Sequence, residues 1–135
     1  MKKRIFIALS VMLLLGTASL TFAGDNPLKA EEKKVNAEFA ALIPADKIID
    51  VDQFYQVYQD VMAGKKKAYL IDVRTHPEFY AFHIEGTDHI HSGHMYTIPK
   101  KIKDPNAEIY VWCRTAKRAT YTAGFLYKYG YKNVY

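Results

Sequence analysis

The chain holds a single cysteine, Cys113, in the run Ile109-Tyr110-Val111-Trp112-Cys113-Arg114-Thr115-Ala116-Lys117-Arg118-Ala119. Four apolar residues end in a thiol, a short basic loop follows, and then comes a segment patterned as a helix. This order puts the sulfur at the C-terminal end of a buried strand, facing the N-terminus of the next helix. Unpaired backbone N–H groups and the positive end of the helix dipole converge at such a junction and favour a thiolate. Arg114, Lys117 and Arg118 add positive charge within a few residues. The pattern reads as a loop that holds a nucleophilic sulfur or an anion. The plainer alternative is a solvated helix start whose three cations face water.

A second group of chemistry-bearing residues lies in Asp88-His89-Ile90-His91-Ser92-Gly93-His94. In an extended segment His89 and His91 share one face, and imidazoles suit zinc or copper. The spacing matches no strong metal signature, however. A polar loop with solvated or hydrogen-bonded histidines is therefore the expectation. No metal is assigned, and His89, His91 and His94 stand as the weak candidates. His83 reads as a structural histidine.

The elements that position these groups fit one domain in 135 residues. Residues 1–23 read as a cleaved signal peptide. Lys2, Lys3 and Arg4 precede an apolar run, Ile5 to Leu15, and Thr21-Phe22-Ala23 offers a cleavage site before Gly24. The expected location is a bacterial periplasm or beyond, with membrane contact only through the signal. Removal of the segment leaves 16 basic and 14 acidic residues, a net charge of about +2, which gives no ground for nucleic-acid binding. A lone cysteine excludes an internal disulfide, and its presence in an oxidising compartment favours retention for chemistry.

Residues 24–45 form a helical lead-in, with Leu28, Val35, Phe39 and Leu42 as its apolar positions, closed near Pro44. The domain proper spans 46–135. Lys47-Ile48-Ile49 reads as a short strand. Asp52 reads as the N-cap of a helix over 53–62 with an apolar stripe of Phe54, Val57, Tyr58 and Val61, and Gly64 ends it. Lys65-Lys66-Lys67 reads as a solvated connection. Residues 68–73 form a nearly continuous apolar strand of the kind covered on both faces. Thr75 caps a short helix through Pro77-Glu78-Phe79-Tyr80, and 84–99 is read as irregular. The strand 109–112, the cysteine loop, a helix over 119–129 stopped by Gly130, and the opening of a strand at Val134-Tyr135 complete the chain. Tyr121, Phe125 and Tyr129 are taken as packing positions. Tyr127, Tyr131 and Tyr135 are taken as half exposed and available to a partner surface. Alternating strands and helices give an α/β class with a mainly parallel sheet flanked by helices.

Over residues 47–135 the chain resembles the rhodanese-like domain family. The resemblance rests on Leu70-Ile71-Asp72-Val73-Arg74, on Glu78-Phe79 followed by His83-Ile84-Glu85-Gly86, on Ile98-Pro99, on the loop Cys113 to Arg118, and on Gly130-Tyr131-Lys132-Asn133-Val134. It implies a rhodanese-like fold in which Cys113 accepts sulfur as a persulfide and Arg114, Thr115, Ala116, Lys117 and Arg118 cradle the substrate. Asp72, Arg74, Glu78 and His83 are its structural support, with Arg74 and Glu78 close enough in sequence to pair. Arg118 is the first candidate for donor binding. The implied activity is thiosulfate sulfurtransferase-like. It moves sulfane sulfur from a small anionic donor to a thiol or cyanide-like acceptor, needs no cofactor, and has a protein as a further candidate acceptor. Four residues separate Cys113 from Arg118. This resembles the short loop of sulfurtransferases, where related phosphatases carry one residue more.

Departures from the family pattern are Ala116 for glycine, Ala119 for serine and Phe82 for the glycine before His83. A positive φ at Ala116 would impose strain. Against the family pattern the C-terminal strand, glycine pair and final helical segment are missing after Tyr135. An exposed sheet edge then offers a route to dimerisation. The alternative function is a catalytically silent binding module for a small anion or a protein partner.

Overall fold

The computed structural model describes residues 26–135, so the signal-peptide segment lies outside the described residues. The elements run α1 (Lys29–Ala40), α2 (Val51–Met62), β1 (Tyr69–Asp72), α3 (His76–Ala81), β2 (Asp88–His89), α4 (Ile98–Lys101), β3 (Glu108–Trp112), α5 (Lys117–Tyr129) and β4 (Asn133–Val134), with 3-10 turns at Ala45–Lys47 and Ser92–Thr97. The four strands form one sheet in the order β2-β1-β3-β4, with every neighbouring pair parallel. Among the described residues no helix is long and apolar enough to cross a membrane.

β1 is central, and Leu70, Ile71, Asp72 and Val73 are all buried, as the unbroken apolar run requires of a strand covered on both faces. One face lies under α2, where Phe54 packs on Trp112 (5.0 Å between ring centres) and reaches Tyr110 (6.5 Å). By strand alternation Ile109 and Val111 point to the opposite face, where they join Ile71, Val73, Leu126 and Val134 in the main core. Ile71, Ile109 and Leu126 are almost wholly buried, and each contributes about 1.5–3 kcal/mol by leaving water. Cys113 continues this alternation and packs against the same core.

α5 presents Ala119, Thr122, Ala123 and Leu126 inward, a stripe of small side chains and one leucine. The expected aromatic stripe is different: Tyr121 and Phe125 are half buried, and Tyr129 is exposed. Tyr131, expected half exposed, is buried with its hydroxyl on the carbonyl of Ile102. α1 lies over α5 with Phe39 against Tyr121 (5.3 Å). A Cβ at Gly124 would meet the Phe39 carbonyl oxygen at 2.6 Å, so glycine is required where the two helices touch. Of the apolar positions of the lead-in helix only Phe39 is half buried, while Leu28, Val35 and Leu42 remain exposed.

Four other local expectations are corrected. No strand forms at 47–49: the turn Ala45–Lys47 bonds back to Pro44 and Ala45, and Ile48 follows in extended but unpaired backbone, 70% exposed. The N-cap of α2 is Asp50, whose carboxylate accepts from the Gln53 N–H (2.8 Å) while Gln53 accepts from the Asp50 N–H (3.0 Å), a reciprocal capping box. The half-buried stripe Phe54, Val57, Tyr58 and Val61 is as expected. Within 84–99 the chain forms β2, a 3-10 turn and the start of α4. Lys66 is also more than a solvated connection, since it pairs with Glu108 at 2.6 Å.

At β4 the backbone of Tyr135 pairs with β3, and the outward groups of Val134 meet the Tyr127 hydroxyl instead. That hydroxyl donates to the Val134 carbonyl (2.8 Å) and accepts from its N–H (3.3 Å). A side chain thus occupies part of the sheet edge.

Candidate active site around Cys113

Cys113 is half buried and directly follows β3. The chain then turns through Arg114 and Thr115 to Ala116, which caps α5 in the left-handed region at φ 63°, ψ −27°. Ala116 is the one non-glycine residue at positive φ among those described. An alanine there carries roughly 1–2 kcal/mol of strain. No side chain caps α5. The N–H groups of its first turn therefore have neither an intrahelical partner nor a side-chain acceptor, and this is the environment in which a negative sulfur is stabilised.

The loop's cations have distinct fates. Arg118 donates to both carboxylate oxygens of Glu78, at 2.6 and 2.9 Å. Glu78 also accepts from the Thr75 hydroxyl (2.7 Å) and N–H (3.0 Å), as half of the capping box that opens α3. The Arg118 pKa is raised by its hydrogen bonds to Glu78 and, in smaller part, by the Cys113 sulfur beside it. Glu78 is correspondingly held well below the usual carboxylate range, chiefly by Arg118. Arg74, the partner expected for Glu78, pairs with Asp72 instead: Asp72 is fully buried and accepts from the Arg74 Nη2 (2.6 Å), Nε and N–H groups. Arg74 also donates to the Phe82 carbonyl at 2.9 Å. Lys117 makes an exposed pair with Glu32 of α1 at 2.8 Å. Arg114 is exposed and has no ion pair among the described residues, and Thr115 is exposed beside it. Arg114 is the cation of the loop left open to a ligand.

The five histidines cluster on the α3–β2 side. Phe79 is sandwiched between His83 (4.1 Å) and His89 (4.3 Å), and the His83 Nδ1 lies 3.1 Å from the Phe79 carbonyl on an exposed ring. His89 uses Nε2 on the Arg74 carbonyl at 2.8 Å. No three His, Cys, Asp or Glu side chains among the described residues are arranged to hold a metal ion, His89, His91 and His94 included.

Residues 55–135, more than half of the chain, match the family described as Rhodanese-like domain. The chain belongs to the rhodanese-like family. Its fold is similar to that of the polysulfide-sulfur transferase homodimer from Wolinella succinogenes, with a TM-score of 0.59 and 24% identity over 81% of this chain and 77% of that one. A Rhodanese_3 like domain from Anabaena sp. matches at a TM-score of 0.46 and 18% identity, over 50% of this chain and 78% of that one. No curated protein matches the chain.

Within this rhodanese-like domain an open hollow of about 570 Å³ adjoins the loop, lined by Arg74, Pro77, Glu78, Ala81, Phe82 and Arg114. Phe82 is 75% exposed and its ring lies 5.2 Å from the Arg74 guanidinium. The charged lining is largely internally paired, so Arg114 supplies the open charge and Pro77, Ala81 and Phe82 the apolar surface. The sequence did not bring Glu78 and Arg118 together. They lie on different helices forty residues apart, and the capping box at Thr75 was the only local sign of where the carboxylate points.

Proposed function

We propose that this rhodanese-like protein is a sulfurtransferase or sulfane-sulfur carrier that works through a persulfide on Cys113. The observation that carries the reading is the half-buried thiol directly after β3, in the short loop that leads into an α5 N-terminus without a side-chain cap, with the Arg118 charge of that first turn felt at the sulfur. In the first step the Cys113 thiolate attacks the outer sulfur of thiosulfate. A Cys–S bond forms, the S–S bond of the donor breaks, and sulfite leaves with the electron pair. In the second step cyanide or a thiolate attacks the terminal sulfur, and the Cys113 thiolate is released. No electron is gained or lost overall, which agrees with a site that needs no cofactor.

First-turn N–H groups of α5 stabilise the negative sulfur in both steps, a preorganised contribution like that of an oxyanion hole. Arg114 attracts the anionic donor. Arg118 acts by position: locked on Glu78, it keeps a fixed charge next to the sulfur. Asp72 and Arg74 hold the end of β1, and His83 packs the α3 side. The basic and apolar start of the sequence supports export to the periplasm or beyond. Thiocyanate formation from thiosulfate and cyanide tests the proposal: Cys113→Ser abolishes turnover, and Arg114→Ala raises the KM for thiosulfate. Turnover by the serine variant at the rate of the parent would overturn it.

A further inference from the structure

Four of the five histidines meet in a second open hollow, of about 370 Å³, which the sulfur chemistry does not use. His76 opens α3, His89 ends β2, His91 caps the following 3-10 turn, His94 lies within it, and Lys101 ends α4. His76 stacks on His91 at 5.7 Å, meets His89 edge-on at 4.8 Å, and His91 lies 5.9 Å from His94. The backbone fixes this assembly: Ile90 donates to the Asp72 carbonyl and Ser92 to the Val73 carbonyl, so the chain on either side of His91 is laid along the end of β1. Gly93 lets the His91 ring fold back, since a Cβ there would stand 3.0 Å from Nδ1.

The hollow is lined by imidazoles, Lys101 and Tyr96, and among the described residues no carboxylate lines it. Neighbouring acids are engaged or turned away. Asp72 is bound by Arg74, Glu78 by Arg118, and Asp88 alternates with His89 along β2. The His91 pKa is lowered by burial first and then by His76, His94, His89 and Arg118. A positive charge in this place is opposed by other positive charges, and a bound anion removes that opposition. The ring nitrogens a metal would need are partly occupied, since the His91 Nδ1 accepts from the Gly93 N–H at 3.0 Å and the His89 Nε2 is on the Arg74 carbonyl.

We propose that this histidine hollow is a pH-gated binding site for a small oxyanion of the sulfate, sulfite and thiosulfate class, separate from the Cys113 loop. A proton added to this cluster on acidification has no carboxylate of the lining to face, which leaves the anion as its counter-charge. The site stands whether or not Cys113 transfers sulfur.

The test is a sodium sulfate titration of the reduced full chain, at constant ionic strength set by chloride, followed through the imidazole Cε1–H signals by NMR. Sulfate is inert toward the thiol, and backbone amides 114–118 monitor the sulfur loop separately. Saturable shifts of the His76, His91 and His94 signals are expected at pH 5.5, with affinity at least about tenfold weaker at pH 8.0. The exposed double variant His76→Gln/Lys101→Gln, shown folded by its amide dispersion, loses most of that affinity. Unmoved imidazole signals at pH 5.5, equal affinity at the two pH values, or an equal response to chloride would each overturn the proposal. Stoichiometric binding of zinc to the same rings at pH 7.5 would assign the cluster to a cation instead.

Discussion

Arg118 and Glu78 face each other across the site, joined by two hydrogen bonds of 2.6 and 2.9 Å, and Glu78 is held in turn by Thr75. The first turn of α5, which begins beside the sulfur loop, is thereby tied to the first turn of α3. Glu78→Gln keeps the shape but removes the charge, and it lets the guanidinium swing from the sulfur. A fall of about 10- to 100-fold in kcat/KM for thiosulfate is expected, carried mainly by kcat, since misplacement of a charge near the reacting atoms has effects of that size. Steady-state kinetics with a far-UV spectrum like that of the parent checks it.

The same pair gives a pH dependence. Glu78 is held below its ordinary value of 4.5, largely by Arg118. A carboxyl whose folded pKa is depressed stabilises the fold above its unfolded value and loses that contribution as pH falls through the folded one. Stability from this group is therefore flat through neutral pH and declines below about pH 4.5. Chemical denaturation from pH 7 to 3 should show a shallower acid decline in Glu78→Gln than in the parent.

Ala116 stands at φ 63°, where glycine is free of the steric penalty. Ala116→Gly should raise stability by about 1 kcal/mol, within the range of the strain released. Urea unfolding measures it. An unchanged or lowered midpoint would show that the loop carries no such strain.

Asp72 is wholly buried, and Arg74 is the one charged group among the described residues that binds its carboxylate. Asp72→Ala leaves a guanidinium nearly buried without its partner and should destabilise the fold by about 3–5 kcal/mol. The double variant Asp72→Ala/Arg74→Met should recover part of the loss, because it removes the orphaned charge.

Much of this architecture is legible in the residue order, and the exceptions have physical causes. The continuous apolar run at 68–73 and the Thr75 cap read correctly because both signals are local. Strand β2 is two residues long, Asp88 and His89, and is defined by its pairing to Ile71 and Asp72, which polar residues do not announce. The apolar Lys47-Ile48-Ile49 segment reads as a strand, but Lys47 closes a 3-10 turn and Ile48 has no neighbouring edge to bond. On α5 the aromatic positions carried the periodic signal, yet small residues and Leu126 face the core, and Tyr121 lies under α1 against Phe39, where Gly124 admits the close approach. Arg118 was the natural first choice for donor binding from its place in the loop. The ion pair with Glu78, formed only by tertiary packing, engages its guanidinium, which is why the proposal turns to Arg114 for the donor.

The central claim is that Cys113 carries sulfur, and intact mass tests it most directly. The reduced protein is exposed to thiosulfate, weighed, then treated with cyanide and weighed again. The account expects a gain of one sulfur atom that cyanide removes and that Cys113→Ser never acquires. No gain in a folded sample, or an equal gain in the serine variant, would contradict it.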